Sequence, residues 1–312
     1  MSSSQNQCLV VPPGEGDAYW SVGDLLTFKV GPQHTDGAWS MAETTVMPGG
    51  GPPPHIHRRE DETFYLLDGQ LNLTLGDDVF IANPGDAFFL PRDLVHTFHN
   101  PGSKPARMIV LAGPCGFEKF ILTFARPKSE SVNPPPVRKE DIDRLIATAP
   151  QFGIEMKFDH KPRNAPVRAN CVRKSLWLSG NRIDLKLVAG DTHGTTTVCT
   201  VTSRRGFGPP PHKHVATDEL FFVETGRFEF LLGDRTVIVE PGTTVFVPRG
   251  TMHDYHNVGD AVGRLAVFHF PSGMENFFLD AGVECTDPSR PPSETLDMPR
   301  MMALIRKHGM EL

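Results

Sequence analysis

The 312-residue chain repeats itself at a constant spacing of 157 residues. The segment GPPPH at 51–55 recurs at 208–212. Across the longer windows 55–100 and 212–257, 18 of 46 positions are identical without a gap. A match of that length in a single register indicates two copies of one structural unit. Any fold assigned to this chain must therefore be built twice, once in each half.

The repeat also sets the domain organisation. At roughly 150 residues per domain, the chain is long enough for two domains that each bury a core. We place the boundary near residue 158, which gives domains 1–158 and 159–312. Proline-rich stretches at 133–136 and 161–166 lie near this boundary and are typical of stiff connectors.

Short strands separated by turns are the dominant pattern within each copy. The chain contains 29 glycines and 29 prolines, nearly a fifth of its residues, which is too many helix breakers for a helical bundle. Leu71, Leu73 and Leu75 alternate with polar residues, as in a half-buried strand. Helical apolar spacing occurs at 139–151 and in a stretch that begins near Pro299. We predict an all-β protein of two sandwiches or barrels with short accessory helices.

Composition excludes several classes of partner. The net charge is −6, from 31 Lys and Arg against 37 Asp and Glu, so there is no basic footprint for nucleic acid or an anionic membrane. No apolar run approaches the ~18 residues of a membrane span. The opening residues MSSSQNQ lack the pattern of a signal peptide, and five scattered cysteines favour a reducing compartment. We expect a cytoplasmic protein that binds neither nucleic acid nor membrane; a homodimer is left open.

Histidine placement is the strongest functional signal in the sequence. In the first copy, His55 and His57 are followed by Glu62 and later by His96. Residues two apart on a strand face the same side, so His55 and His57 can point into one interior. Glu62 lies an odd number of residues beyond His57, which requires a turn or bulge at 58–60 to bring it to that side.

The second copy carries the same residue types at the same offsets, namely His212, His214, Glu219 and His253. Three imidazoles and one carboxylate suit Fe, Mn, Ni, Co, Cu or Zn rather than Mg or Ca. Four protein ligands leave one or two coordination positions open for water, O2 or a chelating substrate. A single His-x-His is weak evidence for a metal, but the duplicated set predicts one divalent transition metal in each barrel.

These residues resemble the two motifs of the cupin superfamily. The first motif, G-x5-H-x-H-x4-E-x6-G, occurs at 49–69 and again at 206–226. The second, G-x5-P-x-G-x2-H-x3-N, is complete at 242–257, whereas the copy at 85–100 has Asp93 in place of its second glycine. Asp adopts a positive φ more readily than most residues, so we expect the turn to persist. The resemblance implies a bicupin of two double-stranded β-helix, or jelly-roll, barrels.

Within the superfamily, the chain most resembles the quercetin 2,3-dioxygenase group. The resemblance rests on the two-barrel length, the helix that ends each half and the similar stretches at 114–120 and 271–277. It implies a dioxygenase that uses O2 to open the ring of a flavonol-like or other enolic or hydroxylated aromatic substrate. Glu62 or Glu219 would take the hydroxyl proton of the substrate, and the metal would stabilise the resulting enolate.

Two other functions remain open, since the cupin fold hosts many activities. One is a non-oxidative enzyme of secondary metabolism, a lyase, isomerase or decarboxylase that uses the metal as a Lewis acid. The other is a non-catalytic metal-binding or sensor protein. Oxalate-degrading bicupins are a weaker match, because they act on a small dianion beside an arginine and no arginine can be assigned to that task here. The sequence leaves the metal, the substrate and the working barrel undecided.

Overall fold

Two compact units make up the protein. Its computed structural model describes residues 7–128, 133–169, 171–292 and 297–312. Contacts group Glu15–Cys171 into one unit, called here the N-terminal unit. Val172–Leu312, together with the segment that ends at Gly14, forms the second, called the C-terminal unit. The boundary at residue 158 stays a prediction about the repeat.

Short strands supply most of the regular structure. The first strands along the chain are β1 (Leu9–Val11), β2 (Asp17–Ser21), β3 (Asp24–Val30), β4 (Ser40–Val46), β5 (His55–His57), β6 (Asp61–Asp68), β7 (Leu71–Leu75), β8 (Asp78–Ala82), β9 (Ala87–Leu90), β10 (His96–His99), β11 (Ala106–Gly113), β12 (Arg126–Pro127), β13 (Ile154–Met156) and β14 (Val167–Arg168). They are followed by β15 (Lys174–Leu178), β16 (Asn181–Leu187), β17 (Thr197–Ser203), β18 (Lys213–His214), β19 (Asp218–Thr225), β20 (Phe228–Leu232), β21 (Arg235–Val239), β22 (Thr244–Val247), β23 (His253–Asn257), β24 (Gly263–Phe270), β25 (Val283–Glu284) and β26 (Met310–Glu311). The helices are α1 (Pro32–Thr35), α2 (Phe117–Phe124), α3 (Lys139–Thr148), α4 (Met274–Ala281) and α5 (Met298–Lys307), with a 3-10 helix at Ala149–Phe152.

Two facing sheets build the N-terminal unit. One has the strand order β12-β2-β3-β4-β11-β6-β9, and the other has the order β13-β5-β10-β7-β8-β14. Phe64 and Val110 from the first sheet share a buried cluster with Leu71 and Leu73 from the second. The apolar faces of both sheets therefore form one core, as in a jelly roll.

The C-terminal unit repeats this architecture. Its largest sheet has the order β1-β22-β19-β24-β17-β16-β15-β25, and smaller sheets pair β21-β20-β23 and β18-β26. Phe221 of the large sheet packs with Phe230 and Tyr255 of the three-stranded sheet. The predicted all-β fold of two jelly rolls with short accessory helices is confirmed.

The first described strand pairs outside the half of the sequence in which it lies. β1 runs antiparallel to β22 at the edge of the large sheet of the C-terminal unit, with Leu9 opposite Phe246 and Val11 opposite Thr244. This pairing could not be predicted from the repeat, because β1 lies before the first aligned segment.

The predicted helix at 139–151 is shorter than expected. α3 ends at Thr148, and the 3-10 helix Ala149–Phe152 completes the stretch. Pro150 has no N–H to donate to the preceding helical turn, so the regular α-helical ladder stops there. Gly153 then ends the segment with φ 75°, as expected for a helix C-terminus. No described helix is long and apolar enough to cross a membrane.

A short returning strand follows the terminal helix of each half. β13, after α3 and the 3-10 helix, pairs antiparallel with β5, which carries His55 and His57. β26, after α5, pairs in the same way with β18, which carries His214. These pairings hold the histidine-bearing strands in place from their outer side.

Candidate metal centres

In the N-terminal unit the four predicted residues converge on one point. β5 carries His55 and His57, β6 carries Glu62, and β10 carries His96. One ligand atom from each residue lies within 4.8 Å of the others, and all four side chains are buried. The turn predicted at 58–60 separates β5 from β6 and brings the carboxylate to the same side as the imidazoles.

Short distances separate the polar atoms of this cluster. His55 Nε2 lies 3.1 Å from His57 Nε2. Glu62 Oε2 lies 3.0 Å from His96 Nε2 and 3.6 Å from His57 Nε2. The cluster therefore presents three imidazole nitrogens and one carboxylate oxygen to a common centre.

Backbone carbonyls fix the orientation of two of these imidazoles. His55 donates its Nδ1–H to the carbonyl of Pro53 at 2.9 Å, and His96 donates to the carbonyl of Leu94 at 3.0 Å. A carbonyl oxygen only accepts, so Nδ1 carries the ring proton. Nε2 of each ring then keeps its lone pair for the centre of the cluster, which is the tautomer that a metal ligand needs.

The C-terminal unit repeats the cluster with His212, His214, Glu219 and His253, whose ligand atoms again lie within 4.8 Å of one another. Glu219 Oε2 lies 2.8 Å from His253 Nε2 and 3.2 Å from His214 Nε2. His212 and His253 each donate Nδ1–H, at 2.9 Å, to the backbone carbonyl two residues earlier. The same tautomer is selected by the same device in both units.

Burial and charge set the protonation states of both clusters. Burial lowers the pKa of His55 well below its ordinary value, and burial lowers that of His212 to about 3, which favours neutral rings at these two positions. Burial also lowers the pKa of His57 and His253, but the carboxylates beside them outweigh it and raise both. Burial alone raises the pKa of Glu62, but the surrounding imidazoles outweigh it and bring this pKa down to about 2. The pKa of Glu219 is also held well below its usual range, because His269 and His214 outweigh burial. Neutral imidazoles and ionised carboxylates are the forms that bind a cation.

Unsatisfied polar atoms mark both clusters. Within the described residues, His96 Nε2 and His214 Nε2 are buried and make no hydrogen bond of acceptable geometry. Buried polar atoms without partners are rare because they cost free energy. A metal ion at the centre satisfies these lone pairs, and a set of three nitrogens and one oxygen suits a first-row divalent ion. The residues present thus fit one divalent transition metal in each unit.

Each cluster opens onto a cavity with apolar walls. The empty space of the N-terminal cavity, together with the solvent at its open mouth, is about 820 Å³, and that of the C-terminal cavity is about 850 Å³. Phe64, Phe98 and Phe120 line the first, and Phe221 and Phe277 line the second. The described residues that line the two cavities include no lysine and no arginine.

Three polar residues at the sites were not predicted. Asp24 lines the cavity of the N-terminal unit, and burial raises its pKa to about 6. Glu60 lies behind His57, which donates through Nδ1 to its carboxylate at 3.4 Å. His269 places Nε2 3.0 Å from Glu219 Oε1. His269 interrupts an apolar run, which is a usable signal, whereas Glu60 sits in a charge run that is typical of an exposed loop.

The departure from the second motif in the first copy is tolerated. Asp93 adopts φ 69°, close to the φ 80° of Gly250 at the equivalent position. Its side chain accepts from Arg58 Nη1 at 2.7 Å. The predicted persistence of this turn, which leads into β10, is confirmed.

Glu60 gives a testable asymmetry between the two sites. We expect Glu60→Gln to weaken metal binding in the N-terminal unit by about 10–100-fold, because a carboxylate behind a ligating imidazole orients the ring and raises its basicity. Thr217 stands at the equivalent position of the second copy, so the other site keeps its affinity. Chelator competition measures both affinities, and Glu140→Gln on the exposed face of α3 is the control. Unchanged affinity in the N-terminal unit would contradict this role of Glu60.

Comparison with known proteins agrees with the two-site architecture. The family model for the cupin domain matches the chain twice, at residues 42–112 and 200–270. Each match contains one complete cluster of three histidines and one glutamate.

Two characterised proteins match parts of the chain. Quercetin 2,3-dioxygenase of Bacillus subtilis (strain 168) is 27% identical over 137 residues, which are 44% of this chain and 40% of the Bacillus protein. Germin-like protein 1-1 of Oryza sativa subsp. japonica is 39% identical over 75 residues, which are 22% of this chain and 35% of the rice protein. The matches thus span less than half the length of either relative.

Solved structures provide a match over most of the chain. The structure of oxalate decarboxylase from Bacillus subtilis at pH 4.6 has a TM-score of 0.59 and 16% identity, and the match covers 87% of this chain and 78% of that chain. Another structure of the same enzyme concerns its Mn(II) centres. At this identity the likeness shows the fold alone.

Proposed function

Because this chain is a bicupin of the cupin superfamily, we propose that it is a metal-dependent dioxygenase. The proposed reaction uses O2 to open the ring of a flavonol-like or other enolic or hydroxylated aromatic substrate. The observation that carries the proposal is the pairing of a cluster of three histidines and one glutamate with an apolar cavity in each unit. An apolar cavity suits an aromatic ring and keeps water from reactive species.

The metal would be held by the eight clustered side chains. In this proposal His55, His57, Glu62 and His96 bind one ion, and His212, His214, Glu219 and His253 bind the other. When bound, such an ion supplies Lewis acidity to the hydroxyl oxygens of a chelating substrate.

The carboxylate of each cluster is the candidate base. Glu62 and Glu219 are buried within their clusters and are ionised at neutral pH. A hydroxyl that joins either cluster comes within hydrogen-bond reach of that carboxylate. The proton moves from the substrate hydroxyl to a carboxylate oxygen, and the substrate is left as an enolate whose ring rests against the cavity wall.

The cavity walls argue against a small dianion as the substrate. Neither set of described lining residues offers a lysine or arginine as a counter-charge. Moving a dicarboxylate into such surroundings is costly because its charges stay largely unpaired. Phenylalanine side chains instead stabilise a bound aromatic ring by burial and edge-to-face packing. The match to Bacillus quercetin 2,3-dioxygenase supports this choice, whereas the likeness to oxalate decarboxylase bears on the fold alone.

Oxygen consumption tests the proposal directly. The metal-loaded protein should consume one O2 per substrate molecule when flavonols and related enols are screened in an oxygen electrode. With ¹⁸O2, both oxygen atoms should appear in the ring-opened product. Oxalate is the matched negative substrate, and chelated protein is the matched negative enzyme. Formation of CO2 from oxalate without net O2 uptake, together with inertness toward every enol, would replace the dioxygenase with a non-oxidative enzyme.

A further inference from the structure

The two clusters differ at the residue that faces the carboxylate from the neighbouring strand. Glu219 on β19 pairs directly with His269 on β24, and Glu62 on β6 pairs directly with Ala112 on β11. Directly opposed residues on adjacent strands place their side chains on the same face. The strand register therefore sets an imidazole beside one carboxylate and a methyl group beside the other.

In the C-terminal unit an imidazole nitrogen lies close to each oxygen of the carboxylate. Glu219 Oε2 faces His253 and His214 at 2.8 and 3.2 Å, and Oε1 lies 3.0 Å from His269 Nε2. His269 is fully buried, and neither of its ring nitrogens makes a hydrogen bond of acceptable geometry with the described residues, so its approach to Oε1 is a close electrostatic contact. A proton on Nε2 would be attracted by the anionic Oε1 of Glu219.

In the N-terminal unit the carboxylate contacts its cluster through one oxygen. Glu62 Oε2 lies 3.0 Å from His96 and 3.6 Å from His57. Ala112 has no polar side-chain atom to offer to Oε1. A carboxylate that binds through Oε2 and keeps Oε1 for a substrate hydroxyl can accept a proton without first breaking a contact.

We infer that His269 is a positioning residue that restrains Glu219, so that the C-terminal unit keeps its metal but deprotonates substrate poorly. Turnover then belongs to the N-terminal unit, where Ala112 leaves Glu62 unrestrained. The assignment of turnover rests on the proposed function. The difference between the two carboxylates does not depend on the proposed function, because it concerns the residues around each cluster in the absence of substrate.

Two proteins with a single site each make the comparison possible. The double substitution His212→Ala and His214→Ala leaves the N-terminal site alone, and His55→Ala with His57→Ala leaves the C-terminal site alone. Each is loaded with Mn(II), and its zero-field splitting is measured by electron paramagnetic resonance. We expect Ala112→His to shift the N-terminal spectrum toward that of the C-terminal site. We expect His269→Ala to shift the C-terminal spectrum toward that of the N-terminal site. His269→Gln keeps an N–H donor and should leave the C-terminal spectrum close to that of the unchanged protein.

Turnover is measured on the same proteins at equal metal content. Ala112→His should lower kcat of the N-terminal site at least tenfold with KM within about twofold, and His269→Ala should raise kcat of the C-terminal site at least tenfold. Ala112→Leu adds bulk without a donor and should leave the N-terminal spectrum unshifted.

Three results would overturn the inference. Ala112→His could leave the N-terminal spectrum and kcat unchanged, Ala112→Leu could reproduce its effects, or the C-terminal site could turn over as fast as the N-terminal site before any change at His269. If no enol is turned over, the proposed function fails and the spectra alone decide whether His269 restrains Glu219. If neither site binds Mn(II), both ideas fail together.

Discussion

Glu62→Gln should lower kcat by about 10²–10⁴-fold while the N-terminal unit retains its metal. The amide keeps the size of the side chain and an oxygen that can face the cluster, but it cannot accept a proton from a bound hydroxyl. His55, His57 and His96 remain to hold a divalent ion, although more weakly. Steady-state oxygen uptake combined with elemental analysis of the same sample separates loss of the base from loss of the metal.

The equivalent substitution in the other unit is the matched control. Glu219→Gln removes the same group from a cluster with the same three imidazoles, so a difference between the two variants identifies the unit that performs turnover. If both variants consumed oxygen and formed product at the original rate with full metal occupancy, proton abstraction by these carboxylates would be wrong. A Lewis-acid or sensor role would then take its place.

Protein purified without chelators should carry two divalent ions per chain, and single imidazole deletions should remove them one at a time. His57→Ala should weaken metal affinity at the N-terminal site by at least about 100-fold. Loss of a residue that only hydrogen-bonds to a metal ligand already lowers metal affinity by about 10–100-fold, and loss of the ligand itself should cost more. The His57→Ala variant keeps three of the four ligands, and Glu60 and Glu62 lie buried beside the space left by the missing imidazole. His214→Ala should do the same to the C-terminal site. Elemental analysis after dialysis then gives about one ion per chain for either variant and none for the double variant.

An exposed histidine supplies the control for this experiment. His99 lies near the end of β10 and faces solvent, so His99→Ala should keep two ions per chain. Retention of two ions by His57→Ala would mean that the clustered histidines do not coordinate the metal. A wild-type stoichiometry of one, lost with His57→Ala and untouched by His214→Ala, would show that the second site is vestigial.

Much of the fold and both clusters could be predicted from sequence because the repeat tests every assignment twice. A pattern of two imidazoles, a carboxylate and a distant imidazole is weak when it occurs once. Its recurrence at fixed offsets, between the same Gly and Pro turns, ties the four positions to one structural environment. The interior placement of Glu62 could be predicted as well, since the period of a strand demands the turn at 58–60.

The same reasoning fails where the two copies differ. His269 aligns with Ala112 in the repeat, so a comparison of the two copies for shared ligands does not identify it. Its position beside Glu219 follows only from the strand register. Glu60 is aligned with Thr217 and stands among charged neighbours, and its burial comes from the turn that packs it behind His57. Differences between copies carry no internal check, and their physical meaning appears only when the contacts are known.

The pairing of β1 with β22 has a consequence for how the chain is made. The N-terminal unit, 15–171, is complete in sequence before any strand of the large sheet of the C-terminal unit other than β1 has been synthesised. At ~5–20 residues per second, roughly 12–50 s separate the emergence of Val11 from that of its partners in β22. During that interval β1 in the nascent chain has no strand to pair with. Once β22 has formed, its edge, which carries Val245 and Phe246, is prone to aggregation until β1 pairs with it. The first described strand is thus among the last to dock, and the order of synthesis differs from the order of assembly.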